Sequence, residues 1–166
     1  MATAWLDRTE REAWLRLVAV VELLPGVLDA QLRISAGLTH FEYFVLAMLS
    51  ETPERTLRMT SLALRTNATL PRLSHVVRRL EDRGLVDRFP CPEDGRATNV
   101  RLSDAGREVV VAAAPGHVST VRRTVLDPLS REQLNQLRDI AEAMLTRLDP
   151  EGRMTVLYDP DRTPRA

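Results

Sequence analysis

Apolar residues recur at helical spacing along most of the chain, and one segment breaks that pattern. They fall three and four positions apart from residue 8 to 32 and again from 134 to 148, which predicts two long amphipathic helices. Between Leu85 and Leu102, short apolar stretches flank a polar segment, Pro90 to Asn99, as expected of a β-hairpin. Its charged tip contains Glu93, Asp94, Gly95 and Arg96. The fold class expected is therefore mainly α with one small β-hairpin (α+β).

Helix boundaries carry recognisable capping signals. Thr39 with Glu42, and Ser130 with Gln133, have the spacing of capping boxes. Gly37 is placed to end the first helical unit, inside which Pro25 should kink or restart the helix. A further helix should begin at the Ser103 cap and be interrupted near Pro115 and Gly116, while Pro, Gly and Asp dominate after residue 149 and indicate a flexible tail.

The segment from Thr69 to Gly84 predicts a helix with two unlike faces. Thr69 is a suitable N-cap, Pro71 is tolerated in a first turn, and Gly84 should stop the helix. One face gathers the aliphatic residues Leu70, Leu73, Val76, Val77 and Leu80, and the rest of the surface carries Arg72, Ser74, His75, Arg78 and Arg79. A helix of this kind can pack on a core while it lies in a DNA groove.

The charge distribution favours a polyanionic partner for the middle of the chain. The net charge is zero and every one of the 23 basic residues is arginine, yet residues 55–101 hold ten arginines and five acidic residues, whereas the flanking segments are net acidic. A GC-rich coding sequence would explain the absence of lysine. It would not explain the clustering.

Composition and motifs exclude several classes of protein. An apolar content of 44% with 28% charged residues suits a globular domain, and the sequence has neither a bilayer-length apolar stretch nor a secretory signal, so the cytoplasm is expected. One cysteine, Cys91, cannot form an intramolecular disulfide or a Cys-rich zinc site. Without a nucleophile elbow, a phosphate loop or a His-Glu metal motif, an enzyme, a metal or another cofactor is not expected.

Several ordered motifs resemble the MarR family of transcriptional regulators. They are Gly37-Leu38-Thr39 with Glu42-Tyr43, Leu62-Ala63, Leu80-Glu81-Asp82-Arg83-Gly84-Leu85-Val86, Pro92-Glu93-Asp94-Gly95-Arg96, and Leu102-Ser103-Asp104-Ala105-Gly106. The resemblance covers roughly residues 10–148. It implies a winged helix-turn-helix with N- and C-terminal helical dimerisation elements, acting as a homodimer on a pseudo-palindromic operator in double-stranded DNA. It does not distinguish repression from activation.

The resemblance also assigns regions and DNA-contacting residues. Residues 1–36 would form an N-terminal dimerisation helix, 37–102 the DNA-binding lobe, 103–148 the C-terminal dimerisation helices and 149–166 a flexible tail. The helix from Thr69 to Arg83 would enter the major groove and Arg96 the minor groove, with Asp94 holding its guanidinium. The expected DNA contacts are Arg72, Ser74 and His75 to base edges, Thr69, Arg78, Arg79 and Arg88 to phosphates, and Asp94 and Arg96 in the wing.

The sequence also suggests residues for dimerisation and for effector binding, and each set has an alternative role. The dimerisation residues expected are Leu17, Val21, Leu134, Leu137, Ala141, Met144 and Leu148, although the last stripe can equally pack on its own domain. A small aromatic or phenolic effector would contact Trp14, His40, Phe41 and Tyr43, although Trp14 and Phe41 also fit a plain core role. His40 and His117 lack neighbours at metal-ligand spacing.

Two positions depart from the family pattern. Asn67 stands at a turn where the family often has glycine, and asparagine tolerates a left-handed backbone. Cys91 stands where the family often has an acidic wing residue, near Arg88 and Arg96, so a thiol-oxidation switch is an alternative to an incidental exposed thiol. A small helical enzyme and a winged helix turned to protein partners are further alternatives, and the arginines kept at the recognition helix and wing argue against the second.

Overall fold

The computed structural model describes residues 5–92 and 94–158 as a helical chain with a small antiparallel sheet. This confirms the predicted α+β class. The main elements are α1 (Arg8–Ala36), α2 (His40–Ser50), β1 (Thr56–Arg58), α3 (Met59–Arg65), α4 (Leu70–Asp82), β2 (Val86–Cys91), β3 (Asp94–Leu102), α5 (Asp104–Val121), α6 (Arg131–Leu148) and α7 (Thr155–Tyr158). A 3-10 turn at Pro53–Arg55 precedes β1, and a π-helical turn at Arg122–Leu126 follows α5.

The capping signals are confirmed. The hydroxyl of Thr39 accepts a bond from the backbone N–H of Glu42, whose carboxylate accepts one from the backbone of Thr39. Ser130 and Gln133 make the same reciprocal pair at the start of α6. Gly37 ends α1 in the left-handed conformation, at φ 63°. These local rules work because each satisfies backbone groups that a helix end leaves unpaired.

The two internal prolines do not interrupt their helices. Pro25 lies within α1 and Pro115 within α5, and both helices continue past them. Both proline side chains are exposed, so each ring displaces no packed side chain, and the cost is the lost backbone bond and the crowding of the carbonyl one turn before. The predicted restart at Pro25 and the predicted break near Pro115 are therefore wrong.

The core lies in the lobe built from α2, α3, α4 and the sheet, closed by the C-terminal end of α1 and the first half of α5. Its fully buried side chains are Leu32, Leu38, Leu46, Leu49, Leu62, Leu73, Leu80, Leu102, Val45, Val77, Val86 and Val100. Helix α4 contributes Leu73, Val76, Val77 and Leu80, whereas Leu70, expected on the same face, is exposed because it precedes the first turn that packs on the core. Helix α6 contributes no buried residue.

The sheet has the order β1–β3–β2, with both pairs antiparallel. Strands β2 and β3 form the predicted hairpin, but pairing extends past Pro90 to Cys91, with an irregularity between these two residues. The polar tip is therefore shorter than the segment from Pro90 to Asn99 that the sequence indicated. Strand β1 was not expected, since three residues are too few to show an alternating pattern.

Helix α5 is held closely against the start of the hairpin. The hydroxyl of Ser103 donates to the carbonyl of Gly84, and the backbone N–H of Ser103 donates to the carbonyl of Leu85. A Cβ added at Gly106 would lie 2.1 Å from that same carbonyl oxygen, so only glycine permits this approach. The glycine therefore permits the close packing of α5 against the start of the hairpin.

The segment after α6 differs from the flexible tail that the sequence indicated. The Asp149 carboxylate accepts bonds from the backbone N–H groups of Arg153 and Met154 at 2.8 and 2.9 Å, which forms a turn before α7, and Thr155 is buried. The remainder of the predicted tail, residues 159–166, lies outside the described residues. None of the described helices combines the length and apolarity needed to cross a bilayer.

Candidate nucleic-acid interface

Helix α4 exposes the polar face that the sequence predicted. Thr69 caps the helix by accepting a bond from the backbone N–H of Arg72, and Pro71 occupies the first turn. The predicted DNA-contacting side chains of this region are all exposed: Thr69, Arg72, Ser74, His75, Arg78 and Arg79. The helix thus presents donors to solvent while its opposite face is fixed in the core.

A left-handed turn joins α3 to α4. Asn67 adopts φ 47°, and the backbone N–H of Ala68 next to it donates to the carbonyl of Ala63. Asparagine occupies this conformation at lower cost than other non-glycine residues. The turn therefore keeps its geometry without the family's usual glycine, which supports the prediction made for this residue.

The hairpin of β2 and β3 carries the second exposed basic group. Arg96 and Asp94 are exposed on β3. The Asp94 carboxylate accepts a bond from the backbone N–H of Arg96 at 3.1 Å, so it fixes the backbone at the tip and not the guanidinium as the sequence suggested. Farther along the hairpin, Arg101 pairs with Asp87 across the strands at 3.1 Å.

Two of the predicted phosphate-contacting arginines are held by carboxylates. Arg79 lies 2.9 Å from Glu42 on α2, and Arg88 on β2 donates to Glu81 on α4. The bond from Arg88 lowers the pKa of Glu81 and raises that of Arg88. These pairs join α4 to α2 on one side and to the hairpin on the other. In contrast, the guanidinium groups of Arg72, Arg78 and Arg96 make no ion pair or hydrogen bond within the described residues.

Arg72 has an aromatic neighbour instead. Its guanidinium carbon lies 4.2 Å from the centroid of the Phe41 ring, within the range of a cation–π contact. Phe41 is half-buried and packs against the core at the first turn of α2. Of the four residues predicted to contact an effector, Phe41 is therefore the one that also touches α4.

A group of rings lies where α2 meets α5. The centroids of the Tyr43 and His117 rings are 4.8 Å apart, and those of His40 and His117 are 6.2 Å apart. The backbone N–H of His40 donates to Asp29 on α1 at 2.9 Å. Burial lowers the pKa of both histidines, opposed at His40 by Asp29 and reinforced at His117 by His40, and burial also raises the pKa of Tyr43.

Two buried polar atoms near His117 find no hydrogen-bond partner among the described residues. They are the Nδ1 atom of His117 itself and the Oε1 atom of Gln31, whose side chain lies near Gly116. Trp14 does not belong to this group, because it lies roughly 22 Å along α1 from Asp29 at 1.5 Å per residue, and it is exposed. Within one chain the predicted effector set therefore separates into His40, Phe41 and Tyr43 on one side and Trp14 on the other.

The Cys91 thiol differs from its sequence-based description. It is buried, with 4% of its surface exposed, at the point where β2 enters the hairpin turn. Pairing with β3 turns the residue inwards, so the exposed thiol expected from the sequence is wrong, and the oxidation hypothesis loses the accessibility that it requires. Among the described residues, no three His, Cys, Asp or Glu side chains are grouped as metal ligands would be.

Long apolar faces on α1 and α6 remain largely uncovered by the residues that the structure describes, 5–92 and 94–158. Val21 is 58% exposed, Leu137 42% and Leu148 72%, and Leu17 is exposed as well. Leu134, Ala141 and Met144 are only half-buried. Further exposed apolar side chains on the helices are Trp14, Leu15, Val20, Leu23, Val27, Ile34, Val111, Val118 and Ile140. Exposed apolar side chains are thus concentrated on α1, α5 and α6, as is typical of an interaction surface.

The comparisons with known proteins agree with this architecture. The MarR family model matches residues 38–98, from the start of α2 to within β3. Sco3205, a MarR family transcriptional regulator from Streptomyces coelicolor whose crystal structure contains DNA, is 42% identical over 90% of this chain and 93% of its own, with a TM-score of 0.86. The chain belongs to the MarR family of transcriptional regulators.

Two further relatives are also transcriptional regulators. AbsC, also a MarR family regulator from Streptomyces coelicolor, is 36% identical over 88% of this chain and 98% of its own, with a TM-score of 0.83. An uncharacterised HTH-type transcriptional regulator of Mycobacterium bovis is 36% identical over 89 residues, and the match spans 62% of that relative's length. The predicted family and winged-helix fold are confirmed, and the chain is assigned as a regulator and not as an enzyme.

Sequence reasoning missed the contacts that join α2 to α4 and to α5. Glu42 was recognised only as a capping residue, and its ion pair with Arg79 was not expected. His117 was considered only as a metal ligand, whereas its ring packs against that of Tyr43 at an interplanar angle of 44°. These partners are far apart in the chain, and no local spacing rule links them.

Proposed function

We propose that this MarR family chain binds a pseudo-palindromic operator in double-stranded DNA as a homodimer. The observation that carries the proposal is the polar face of α4, on which Arg72, Ser74, His75 and Arg78 are exposed while the opposite face is fixed in the core. Two such helices related by a two-fold axis would read two half-sites about one helical turn apart.

The contacts divide by chemistry. Arg72, Ser74 and His75 lie near the N-terminal end of α4, where a recognition helix meets base edges. Thr69 and Arg78 reach phosphates, and Arg79 and Arg88 contribute the N–H donors that their carboxylate partners leave free. Arg96, exposed on the hairpin with its backbone fixed by Asp94, enters the minor groove, whose negative potential is strongest in narrow A·T-rich DNA.

The unpartnered apolar faces of α1 and α6 support the homodimer. The exposed residues Leu17, Val21, Leu137 and Leu148 lie on these two helices, and α6 buries none of its side chains within its own chain. A second copy that covers these faces would remove apolar surface from water, at about 25 cal/mol for each Å². Dimerisation by α1 and α6 also leaves α4 and the hairpin free for DNA.

Selection of genomic fragments by the purified protein, followed by hydroxyl-radical footprinting, tests this function. We expect a few fragments to be enriched, each with two protected half-sites whose centres are separated by about 10 base pairs or a multiple of that distance. Enrichment no greater than in a mock selection would contradict the proposal. A single protected half-site would contradict the homodimeric mode of binding.

We also propose that a small aromatic or phenolic acid binds this protein as an effector and releases it from DNA. Two buried atoms support it, the Nδ1 of His117 and the Oε1 of Gln31, which have no hydrogen bond among the described residues. The His117 ring lies against the rings of Tyr43 and His40. Buried polar atoms without partners are uncommon, and a ligand that offers a donor would satisfy them. The rings lie between α2 of the DNA-binding lobe and α5. A ligand there that favours one spacing of these elements shifts the DNA-competent population.

Release of labelled operator in the presence of salicylate and p-coumarate tests the effector. We expect one of these acids to weaken operator binding in the wild type and to have less effect in a His117→Asn variant. Equal weakening in both proteins, or no weakening by any concentration that leaves the protein folded, would contradict the site.

A further inference from the structure

The first turn of α2 lies against one flank of α4. Arg72 and Arg79 are seven residues apart, so at 100° per residue they lie on the same side of the helix, two turns from one another. Their long side chains converge on adjacent residues of α2: Arg72 on Phe41 and Arg79 on Glu42. His75, one turn from Arg72, and Arg78 are exposed to solvent.

Glu42 makes this junction rigid. It is buried, with 6% of its surface exposed, and its Oε2 atom accepts the capping bond from Thr39 at 2.8 Å. Its Oε1 atom lies 2.9 Å from Arg79. Nearby, Arg83 donates to the carbonyl of Gly37 at 3.2 Å. The contacts from Arg79 and Arg83 therefore hold α4 against the start of α2, which carries the Phe41 ring.

The contact with Phe41 leaves Arg72 able to bind DNA. A guanidinium that stacks on a ring by its face keeps its in-plane N–H groups directed outwards, and the Arg72 guanidinium makes no ion pair or hydrogen bond within the described residues. Its outward edge has the planar fork that matches the O6 and N7 atoms of guanine. Stacking reduces the rotamer freedom that Arg72 would otherwise lose on binding.

We infer that Phe41 is a positioning residue for DNA recognition, which holds Arg72 by its ring face and thereby determines how well the protein discriminates its operator from other DNA. The inference rests on the proposed reading of DNA by α4. It gives Phe41 a role besides core packing or effector contact. Phe41 itself touches no DNA.

A Phe41→Leu variant removes the aromatic ring and keeps an apolar side chain, so it tests the contribution of the ring alone. The quantity to measure is the ratio of the Kd for scrambled duplex to the Kd for the selected operator. We expect this ratio to fall about threefold for each protomer, or about tenfold for a dimer that uses two Arg72 side chains. The salt dependence should not change, because every charge is retained. A Phe41→Tyr variant keeps the ring and should stay within about twofold of the wild type.

Phe44 provides the matched control, since it is also half-buried on α2 and packs against the same core. Phe44→Leu should leave the ratio unchanged, and Phe41→Leu should have no further effect in an Arg72→Ala background. The inference is overturned if Phe41→Leu keeps the wild-type ratio, if Phe44→Leu lowers it equally, or if the loss persists without Arg72. A wild-type protein that prefers no duplex would instead overturn the proposed DNA-binding function, and the inference with it.

Discussion

Partial burial of two histidines and a left-handed backbone at Asn67 each affect the stability of the folded chain. His40 and His117 are partly buried within one group of rings, and burial lowers the pKa of both. The unfolded chain therefore takes up protons at a higher pH than the folded chain does. The stability that the neutral rings confer is complete above about pH 6.5 and is lost as the pH falls below it.

This predicts an acid-sensitive step in stability that depends on these two rings. Between about pH 7.5 and pH 5.5, the wild type should lose more free energy of unfolding than a His40→Gln/His117→Gln variant. Urea unfolding at both pH values measures the difference. A His75→Gln variant, which removes an exposed histidine of α4, controls for the loss of a histidine elsewhere. Equal losses of the free energy of unfolding in all three proteins would contradict this prediction.

Asn67 predicts a second effect at the residue scale. Its φ of 47° is in the left-handed region, where an alanine costs about 1 to 2 kcal/mol and glycine costs nothing sterically. An Asn67→Ala variant should therefore be about 1 kcal/mol less stable than an Asn67→Gly variant. The midpoints of urea unfolding compare the two. An alanine variant as stable as the glycine variant would show that the turn does not require this conformation.

At the scale of elements, local sequence rules predicted the helix ends. They did not predict the contacts between residues that are far apart in the chain. The capping boxes at Thr39 and Ser130 were read correctly because both partners lie within one turn. The hairpin was placed correctly, but its tip was not, because cross-strand pairing extends through Pro90 and Cys91. The contacts of Arg72 and Arg79 with α2 depend on tertiary packing. The spacing of apolar residues along the sequence carries no information about such contacts.

The hairpin predicts a DNA-binding effect that leaves the rest of the protein intact. Arg96→Ala should weaken operator binding on the order of tenfold and lower the salt slope by about one unit per protomer. Arg101→Ala on the same strand, where the arginine is already paired with Asp87, should have a smaller effect. Unchanged operator affinity in the Arg96→Ala variant would remove the hairpin from the interface.

At the scale of the whole molecule, some apolar side chains form a closed core and others form open faces on α1 and α6. The core of the DNA-binding lobe is closed within one chain, with Leu62, Leu73 and Leu80 fully buried. The helices α1 and α6 leave their apolar faces open. The sequence showed the stripe on α6 but left open whether it packs on its own domain or on a second copy. The structure favours the second copy, because no residue of α6 is buried.

Dimerisation by these faces makes Leu137 a sensitive position. Leu137→Glu should convert a species of twice 18.7 kDa to a monomer or unfold it, since a buried unpaired carboxylate is strongly unfavourable. Sedimentation velocity with circular dichroism distinguishes these results. Gln136→Glu adds the same charge at an exposed neighbouring position and should leave the dimer intact. A folded Leu137→Glu monomer with normal operator affinity would refute the homodimer.

Competition fluorescence anisotropy measures directly whether this protein binds DNA in a sequence-specific way. Labelled duplexes tiled across the DNA upstream of the gene are titrated with the protein at two salt concentrations, with scrambled duplex as competitor. We predict saturable binding to at least one duplex that resists the competitor and weakens steeply with salt, as phosphate contacts by several arginines require. Binding to every duplex that is no tighter than to scrambled DNA, together with no enrichment of genomic fragments, would contradict the account.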